Sequence, residues 1–254
     1  MPGRADPSYQ ERILSEVLTR AHAAAPEGIV LFDLDSTLLD NRPRQARILQ
    51  DYGRIAALPA LLDARPEHWQ GWDLEGALRN AGLPPGEAGA HAAPARRFWA
   101  EWFFTSAYCR LDAAIPGAPS FVAEVARTGA RVVYVTARPS RMREGTLHAF
   151  RRHGFPLPDG ARVQLIMKEG TALGDDAWKR RACSLVEALG PVVAAFDNEP
   201  AHVNLYAEAW PRALCVHVDT DHSPRPIEVL PRIPSVLDLR GPFGDPRPAL
   251  GPPR

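Results

Sequence analysis

The sequence predicts an α/β fold in which a doubly wound, mostly parallel sheet carries a helical cap inserted after its first strand. Short apolar, β-prone segments alternate along the chain with longer segments whose apolar residues recur at helical spacing. Such alternation is typical of right-handed βαβ units and a parallel sheet. The predicted strands lie at 28–33, 131–136, 163–167, 192–196 and 213–218.

The segment after the first strand has a different pattern. From 42 to 113 the apolar residues follow helical spacing, whereas the Gly-, Pro- and Ala-rich stretch 82–94 indicates a loop. We predict a core domain from 8–41 and 114–240, with 42–113 as the cap. The Pro-rich chain beyond 219 is expected to be extended, and 241–254 to be a disordered tail.

Composition excludes several classes of protein. Lys plus Arg and Asp plus Glu number 30 each in 254 residues, so no overall field favours nucleic acid or membranes, although a local basic patch is compatible with this balance. Because no apolar run approaches about 18 residues and no signal peptide is recognisable, we expect a soluble, cytoplasmic protein without membrane contact. Cys109, Cys183 and Cys215 are widely spaced, which predicts small core residues.

Polar side chains follow the strands at their carboxyl ends. Asp33 and Asp35 come after the first strand, Thr136 ends the second, and Asp197 ends the fourth. Ligands of such sheets bind in the crevice outside these strand ends. Three carboxylates there can bind a hard cation such as Mg²⁺, which leaves coordination sites for water and a phosphate oxygen. A carboxylate held beside that cation can attack phosphorus and form an aspartyl phosphate.

Donor groups near the same edge suit a phosphate. The Thr136 hydroxyl and the Arg138 guanidinium can donate to phosphate oxygens, and a lysine would supply a compact positive charge. All of these groups would act by positioning and charge stabilisation, as phosphoryl transfer requires.

Three motifs resemble those of the haloacid dehalogenase superfamily. Asp33-Leu34-Asp35-Ser36-Thr37 resembles its motif I, the segment 133–138 ending in Thr136-Ala137-Arg138 resembles motif II, and Phe196-Asp197-Asn198-Glu199-Pro200 resembles motif IV. The resemblance implies a Rossmann-like core with a C1-type cap over the active site. It also implies that Asp33 is the nucleophile, that Asp35 acts as acid and then as base, and that Thr136 binds the phosphoryl group.

The same resemblance implies the metal site and leaves two alternatives open. Mg²⁺ would be held by Asp33, the Asp35 carbonyl and Asp197, with Asn198 or Glu199 completing the shell. Motif III is a single lysine; Lys179, which precedes the Asp197 strand at the spacing usual in the family, is preferred over Lys168. The candidate phosphate- or substrate-binding residues are Ser36, Thr37, Ala137, Arg138 and Lys168.

The leading functional hypothesis is a Mg²⁺-dependent phosphohydrolase acting on a small phosphomonoester. Asp35 favours a phosphatase or phosphotransferase, because dehalogenases of the superfamily lack this second acid. One alternative is a phosphatase of nucleotides or nucleic-acid ends, suggested by the basic runs Arg151-Arg152 and Lys179-Arg180-Arg181. Another is a non-catalytic scaffold that binds partners. Substrate and oligomeric state stay open, because specificity should reside in the cap.

The aromatic residues and histidines of the sequence are predicted to be mainly structural. The aromatic run from Phe98 to Phe104 follows helical spacing, which more often indicates packing in the cap core than stacking on a substrate ring. Trp69 and Trp72 have the same two interpretations. The histidines, among them His202, lack metal-binding spacing and are expected to be structural or surface residues.

Overall fold

A computed structural model describes residues 7–170 and 172–243, apart from the side chain of Pro7. The described residues form a six-stranded sheet and a separate two-stranded ribbon. The strands are β1 Ile29–Phe32, β2 Leu39–Asp40, β3 Ala113–Ala114, β4 Arg131–Pro139, β5 Val163–Lys168, β6 Val192–Asp197, β7 Leu214–Val218 and β8 Ser235–Val236. The helices are α1 Pro7–Ala24, α2 Arg42–Ile55, α3 Leu74–Asn80, α4 Pro85–Phe103, α5 Ser106–Cys109, α6 Ala118–Arg127, α7 Arg143–His153, α8 Asp175–Glu187 and α9 Pro200–Ala209.

The main sheet is parallel and has the order β5-β4-β1-β6-β7-β8. Strand β1 is central because Ile29–Phe32 is buried on both faces and pairs with β4 on one side and β6 on the other. The order reverses direction at β1, which is the point where a doubly wound sheet opens a crevice for ligands. The predicted sheet class is confirmed, including its parallel character.

Two apolar layers sandwich the sheet. One face packs against α1, α6 and α7, with Leu14, Phe121 and Phe150 in its core. The opposite face packs against α8 and α9, with Trp178 and Tyr206 in its core. Alternate side chains of each strand point to opposite faces, so each strand supplies both layers.

The segment between β2 and β3 folds into a helical layer with its own apolar core. Helices α2, α3 and α4 enclose Leu49, Leu61 and Leu78, among other residues. The antiparallel β2–β3 ribbon, in which Leu39 lies opposite Ala114, joins this layer to the main sheet. Strands β2 and β3 lie beside the predicted limits of the cap, 42 and 113, and the division into core and cap stays a prediction.

The stretch 82–94 was expected to be a loop, and this expectation is wrong for residues 85–94. Helix α4 begins at Pro85 and continues through Pro94. Proline suits the first helical position, where its missing N–H is not needed, and four alanines between Ala88 and Ala93 have high helix propensity. Pro94 removes one backbone hydrogen bond, but packing of Ala88 and Ala95 into the cap core maintains the helix.

Several other expectations concern the remainder of the chain. Cys109, Cys183 and Cys215 are buried and free, as predicted. Of the predicted disordered tail 241–254, residues 244–254 lie outside the described residues. No helix of the described ranges is long and apolar enough to cross a membrane.

Phe121 gives a test of the sheet core. Its ring lies fully buried and edge-on to Phe32, at a centroid distance of 6.1 Å, and also contacts Phe196. We expect Phe121→Ala to lower the free energy of unfolding by about 3–5 kcal/mol, because it leaves a cavity between helix and sheet. Urea unfolding followed by circular dichroism measures this. Leu185→Ala, on the exposed side of α8, should change the free energy of unfolding by less than about 0.5 kcal/mol. Equal effects of the two substitutions would contradict the packing described.

Candidate functional site

The carboxyl ends of β1, β4 and β6 meet at one edge of the sheet. Asp33 follows β1, Thr136 lies in β4, and Asp197 ends β6, and these three strands are neighbours. The three side chains line a cavity of about 800 Å³ between the sheet edge and the cap. Because β1 lies between β4 and β6, Asp33 lies at the floor of the cavity between the strands that carry Thr136 and Asp197.

Lys179 lies between the two buried carboxylates. Its Nζ donates to Asp33 Oδ1 at 2.5 Å and to Asp197 Oδ2 at 2.8 Å. Lys179 is in the first half of α8, and the neighbouring Trp178 fixes this helix by donating its indole N–H to the Thr136 carbonyl at 2.9 Å. Lys168, the alternative motif III residue, pairs instead with Asp175 at 2.8 Å. The geometry therefore favours Lys179 for the motif III position.

Burial and the neighbouring charges shift the pKa values of Asp33 and Asp197 in opposite directions. Burial raises the pKa of Asp33 to about 7, since the attraction of Lys179 only partly offsets it and the repulsion from Asp197 adds to it. Burial also acts on Asp197, but Lys179 and His202 together hold the pKa of that carboxyl well below its usual range. The two carboxylates raise the pKa of Lys179 well above normal despite its burial. The ammonium thus stays charged.

The turn after β1 is held by backbone and side-chain hydrogen bonds. The Leu34 carbonyl accepts from the N–H groups of Thr37, Leu38 and Leu39 at 3.2, 2.9 and 2.8 Å. Ser36 has a positive φ of 61°, which a residue at the tight point of the turn requires. The Thr37 hydroxyl lies 3.2 Å from Asp33 Oδ2 and accepts from the Asn198 N–H at 3.0 Å. Thr37 thereby joins the motif I turn to the end of β6.

Asp35 is held by arginines from both the core and the cap. Arg138 binds it in a bidentate manner, with Nε to Oδ2 at 2.7 Å and Nη2 to Oδ1 at 2.9 Å. Arg44 of α2 donates to Oδ1 at 2.7 Å, and Asn41 donates to the same oxygen at 3.2 Å. Burial alone would raise the pKa of Asp35, but the two arginines hold it well below its usual range. Asp35 is therefore ionised in this arrangement.

Asp112 completes a four-membered charge cluster. Its Oδ2 accepts from Arg138 Nη2 at 2.6 Å, and its Oδ1 lies 3.0 Å from Arg44 Nε. Asp112 immediately precedes β3, so it lies at the connection between cap and core. Asp112 and Arg44 are fully buried, and Arg138 is nearly so. Two carboxylates and two guanidinium groups thus neutralise one another where the cap joins the sheet.

The predicted substrate-binding residues differ in what they contact. Thr136 and Ala137 line the cavity, whereas the Ser36 carbonyl accepts from Thr220 and the Thr37 hydroxyl contacts Asp33 and Asn198. Arg138 also lines the cavity, but its guanidinium donates hydrogen bonds to other residues, namely Asp35, Asp112, Cys109 and Thr146. We therefore assign Arg138 to holding Asp35, and a direct contact with substrate stays a prediction.

Asn198 and Glu199 follow Asp197 and have partners of their own. The Asn198 side-chain amide donates from Nδ2 to the Asp221 carbonyl at 2.7 Å, and its Oδ1 accepts from the Thr37 hydroxyl at 3.0 Å. Glu199 pairs with Arg225 at 2.9 Å and accepts from the Ser223 N–H at 3.0 Å. The assignment of either residue to a metal shell stays a prediction.

The cavity floor has oxygen donors of the kind that Mg²⁺ binds, and the Mg²⁺ site itself stays a prediction. Within the described ranges, no three His, Cys, Asp or Glu side chains form a metal-binding group. Two buried carboxylates, Asp33 and Asp197, nevertheless lie together there, and the Asp35 carbonyl belongs to the adjoining turn. Mg²⁺ is usually held by one or two carboxylates and keeps several waters and a substrate phosphate oxygen. The oxygen donors therefore suit this cation without a third side chain.

Sequence reasoning missed the partners of the motif residues. Arg44, Asn41 and Asp112 contact Asp35 or its arginines, yet none of them lies in a motif. His202, expected to be structural or on the surface, lies between Asp176, at 2.9 Å, and Asp197, at 3.7 Å. Its position two residues into the helix after motif IV was the available signal.

The charge cluster predicts a large effect of Asp112→Ala on stability. Removal of this carboxylate leaves Arg44 and Arg138 to share Asp35, with buried positive charge uncompensated. We expect a loss of about 3–5 kcal/mol in the free energy of unfolding, measured by urea denaturation. Glu75→Ala removes an exposed pair with Arg79 and should cost less than about 1 kcal/mol. A cost for Asp112→Ala no greater than for Glu75→Ala would refute the proposed burial of the cluster.

Comparison with known proteins agrees with this architecture. No protein-family model and no curated protein matches the sequence. Among solved structures, a putative phosphatase from Clostridium difficile is 15% identical and superposes with a TM-score of 0.50 over 77% of this chain and 86% of that one. The protein tyrosine kinase A of Mycobacterium tuberculosis is 15% identical, with a TM-score of 0.53 over 84% of this chain and 94% of that one.

A haloacid dehalogenase-like hydrolase from Streptococcus pneumoniae is also similar, with 12% identity and a TM-score of 0.45 over 77% of this chain and 87% of that one. Likeness at these identities concerns the fold. The parallel sheet, the helical insertion after β1 and the motif residues at the ends of β1, β4 and β6 agree with it. The chain therefore has the doubly wound, parallel α/β fold with an inserted helical layer that the sequence predicted.

Proposed function

We propose that this protein is a Mg²⁺-dependent phosphohydrolase that cleaves a phosphomonoester through an aspartyl phosphate on Asp33. The observation that carries the proposal is the buried arrangement in which Lys179 Nζ contacts both Asp33 and Asp197 at the floor of an open cavity. A structural salt bridge would not require a cavity beside it. The fold, shared with a putative phosphatase, is compatible with this reaction.

In the first half of the reaction, a carboxylate oxygen of Asp33 attacks phosphorus and the bond from phosphorus to the alcohol oxygen breaks. Lys179 and the Thr136 hydroxyl stabilise and orient the transferring phosphoryl group. Bound Mg²⁺ would neutralise charge on the phosphoryl oxygens and on Asp33 and Asp197. The proton that the leaving alcohol needs comes from the carboxyl group of Asp35, which takes up a proton from solvent before the first turnover and from the attacking water in each later one. To act as an acid, Asp35 must move away from Arg138 and Arg44, since both favour its carboxylate form.

In the second half, Asp35 takes a proton from water, and the resulting hydroxide attacks the phosphorus of the aspartyl phosphate. The bond between Asp33 and phosphorus breaks, which releases phosphate and restores the carboxylate. The ionised Asp35 of this structure is the form that this step requires. Arg138, Arg44 and Asn41 are positioning residues because they act on the reaction through Asp35.

The alternatives have less support. The run Lys179-Arg180-Arg181 does not form one basic surface, since Lys179 is buried on two carboxylates while Arg180 and Arg181 are exposed. A small phosphorylated substrate fits the cavity beneath the cap. Action on nucleic-acid ends and a scaffold role stay hypotheses, and the cytoplasmic location stays an expectation.

Replacement of the nucleophile tests the proposal. Purified protein should hydrolyse 4-nitrophenyl phosphate when Mg²⁺ is present, lose this activity with EDTA and regain it with added Mg²⁺. Asp33→Asn should lower kcat by at least about 10³-fold, because an amide cannot form the intermediate. The control Asp63→Asn, on the exposed surface of the cap, should keep wild-type activity. Undiminished turnover by Asp33→Asn would exclude the mechanism.

A second test decides which lysine acts in the site. Lys179→Met should lower kcat by about 10²–10³-fold or more, since it removes the positive charge that contacts both carboxylates. Lys168→Met removes a rim pair with Asp175 and should leave most of the activity. Circular dichroism of both variants would verify folding. A larger loss of kcat in Lys168→Met than in Lys179→Met would indicate that Lys168 is the motif III lysine.

A further inference from the structure

The cap contributes an aromatic wall to the cavity, formed by Trp72, Trp99, Phe103 and Phe104. Trp99 and Phe103 are stacked, with ring centroids 4.3 Å apart and an interplanar angle of 23°. Trp72 meets Phe103 nearly edge-on at 5.6 Å and Trp99 at 6.3 Å. Packing of the cap core explains these contacts only in part, because Trp72, Trp99 and Phe104 keep exposed surface on the cavity side.

Trp72 is held in an unfavourable backbone conformation at this wall. Its φ is +63°, a value that bulky side chains rarely adopt, and the preceding Gly71 has a φ of +60°. The Gly71 N–H donates to Asp221 Oδ1 of the core at 2.6 Å, which anchors this turn of the cap to the core. Strain of this kind persists where surrounding contacts impose it, and it clusters at ligand sites. By contrast, Trp69, three residues earlier, is buried in the cap core.

The wall lies on the side of the cavity where Asp35 is held. The Arg44 guanidinium stacks over the Phe103 ring at 4.0 Å and binds Asp35 Oδ1 at 2.7 Å. Asp33 and Lys179 contact each other at 2.5 Å on the cavity floor, where the proposed reaction places the phosphoryl group. In the proposed reaction Asp35 exchanges a proton with the leaving-group oxygen, so the leaving alcohol extends toward the aromatic rings rather than toward Lys179.

The chemistry of the wall indicates what it binds. Its four side chains are aromatic and uncharged, whereas the charged groups of the opposite rim, Arg225, Asp176 and Glu199, pair with one another. Flat rings stack well on such a surface, and the cavity has the size of pockets that enclose small ligands. We propose that this wall is the leaving-group subsite and that the substrate is a phosphomonoester whose alcohol carries a flat aromatic ring. This inference rests on the proposed phosphatase function.

Matched pairs of esters test the subsite. The first pair is 2-naphthylmethyl phosphate against cyclohexylmethyl phosphate, and the second is adenosine 5′-monophosphate against ribose 5-phosphate. Each pair releases a primary alcohol, so the chemical step is similar and the ring is the main difference. A kcat/KM at least about tenfold higher for the ring-bearing member of either pair is expected. A preference in the first pair would indicate an aryl ring, and a preference in the second pair would indicate a nucleobase. Equal kcat/KM values within both pairs would overturn the inference.

Variants assign the preference to the wall. Trp72→Leu should reduce the ring preference severalfold, and Trp72→Phe, which keeps a ring, should retain most of it. Trp102→Leu is the matched control, because Trp102 lies on α4 beside Phe98 and Tyr108 and does not line the cavity. An equal preference in Trp72→Leu and Trp102→Leu, with both variants folded by circular dichroism, would overturn the assignment.

Binding measurements separate failure of the inference from failure of the phosphatase proposal. Calorimetry with 2-naphthylmethylphosphonate and cyclohexylmethylphosphonate requires no turnover. If no ester is hydrolysed, the phosphatase proposal fails, and tighter binding of the naphthyl compound would still support an aromatic subsite. If all esters are hydrolysed equally and both phosphonates bind equally, the phosphatase proposal stands and the aromatic subsite is refuted.

Discussion

The buried Lys179 ammonium, shared by the carboxylates of Asp33 and Asp197, is the interaction on which the rest of the site depends. It joins the ends of two adjacent strands to a helix that packs on one face of the sheet. Without it, two buried carboxylates would repel each other in a medium that screens charge poorly. The same groups that stabilise this edge of the sheet are those that a phosphoryl group and a divalent cation require, so stability and proposed function draw on one set of charges.

A second charge cluster determines how the cap meets the core. Arg44 belongs to the cap, Arg138 to β4, and Asp112 to the connection between them, and Asp35 contacts both arginines. Because Arg44, Arg138 and Asp112 are buried, each of them depends on the other members for charge compensation. The cap is therefore held by charge as well as by the β2–β3 ribbon. Movement of the cap would alter the surroundings of Asp35 directly, which links cap position to proton transfer in the proposed reaction.

The cavity has an ionic floor and an aromatic wall, which differ in chemistry. Lys179, Asp33 and Asp197 form an ionic floor that suits a phosphoryl group, and Trp72 and its aromatic neighbours form an apolar wall that suits a leaving group. The floor comes from the sheet, whose strand ends are fixed by backbone pairing, whereas the wall comes from the inserted helices. A fold of this kind can keep one reaction and change its substrate, since the cap can vary without disturbing the strands.

The sequence alone was enough to predict the parallel sheet, the insertion after β1 and the motif residues near three strand ends, because strand periodicity and residue order are local properties. It erred at 82–94, where alanine propensity and burial in the cap core outweighed the glycines and prolines. Only the tertiary structure shows that Lys179 contacts Asp33 and Asp197 while Lys168 pairs with Asp175. It also shows that Arg138 binds Asp35 and that Arg44 and Asp112 belong to the same cluster. Those contacts join residues from separate elements, and no local pattern in a single sequence encodes which distant side chains share a buried space.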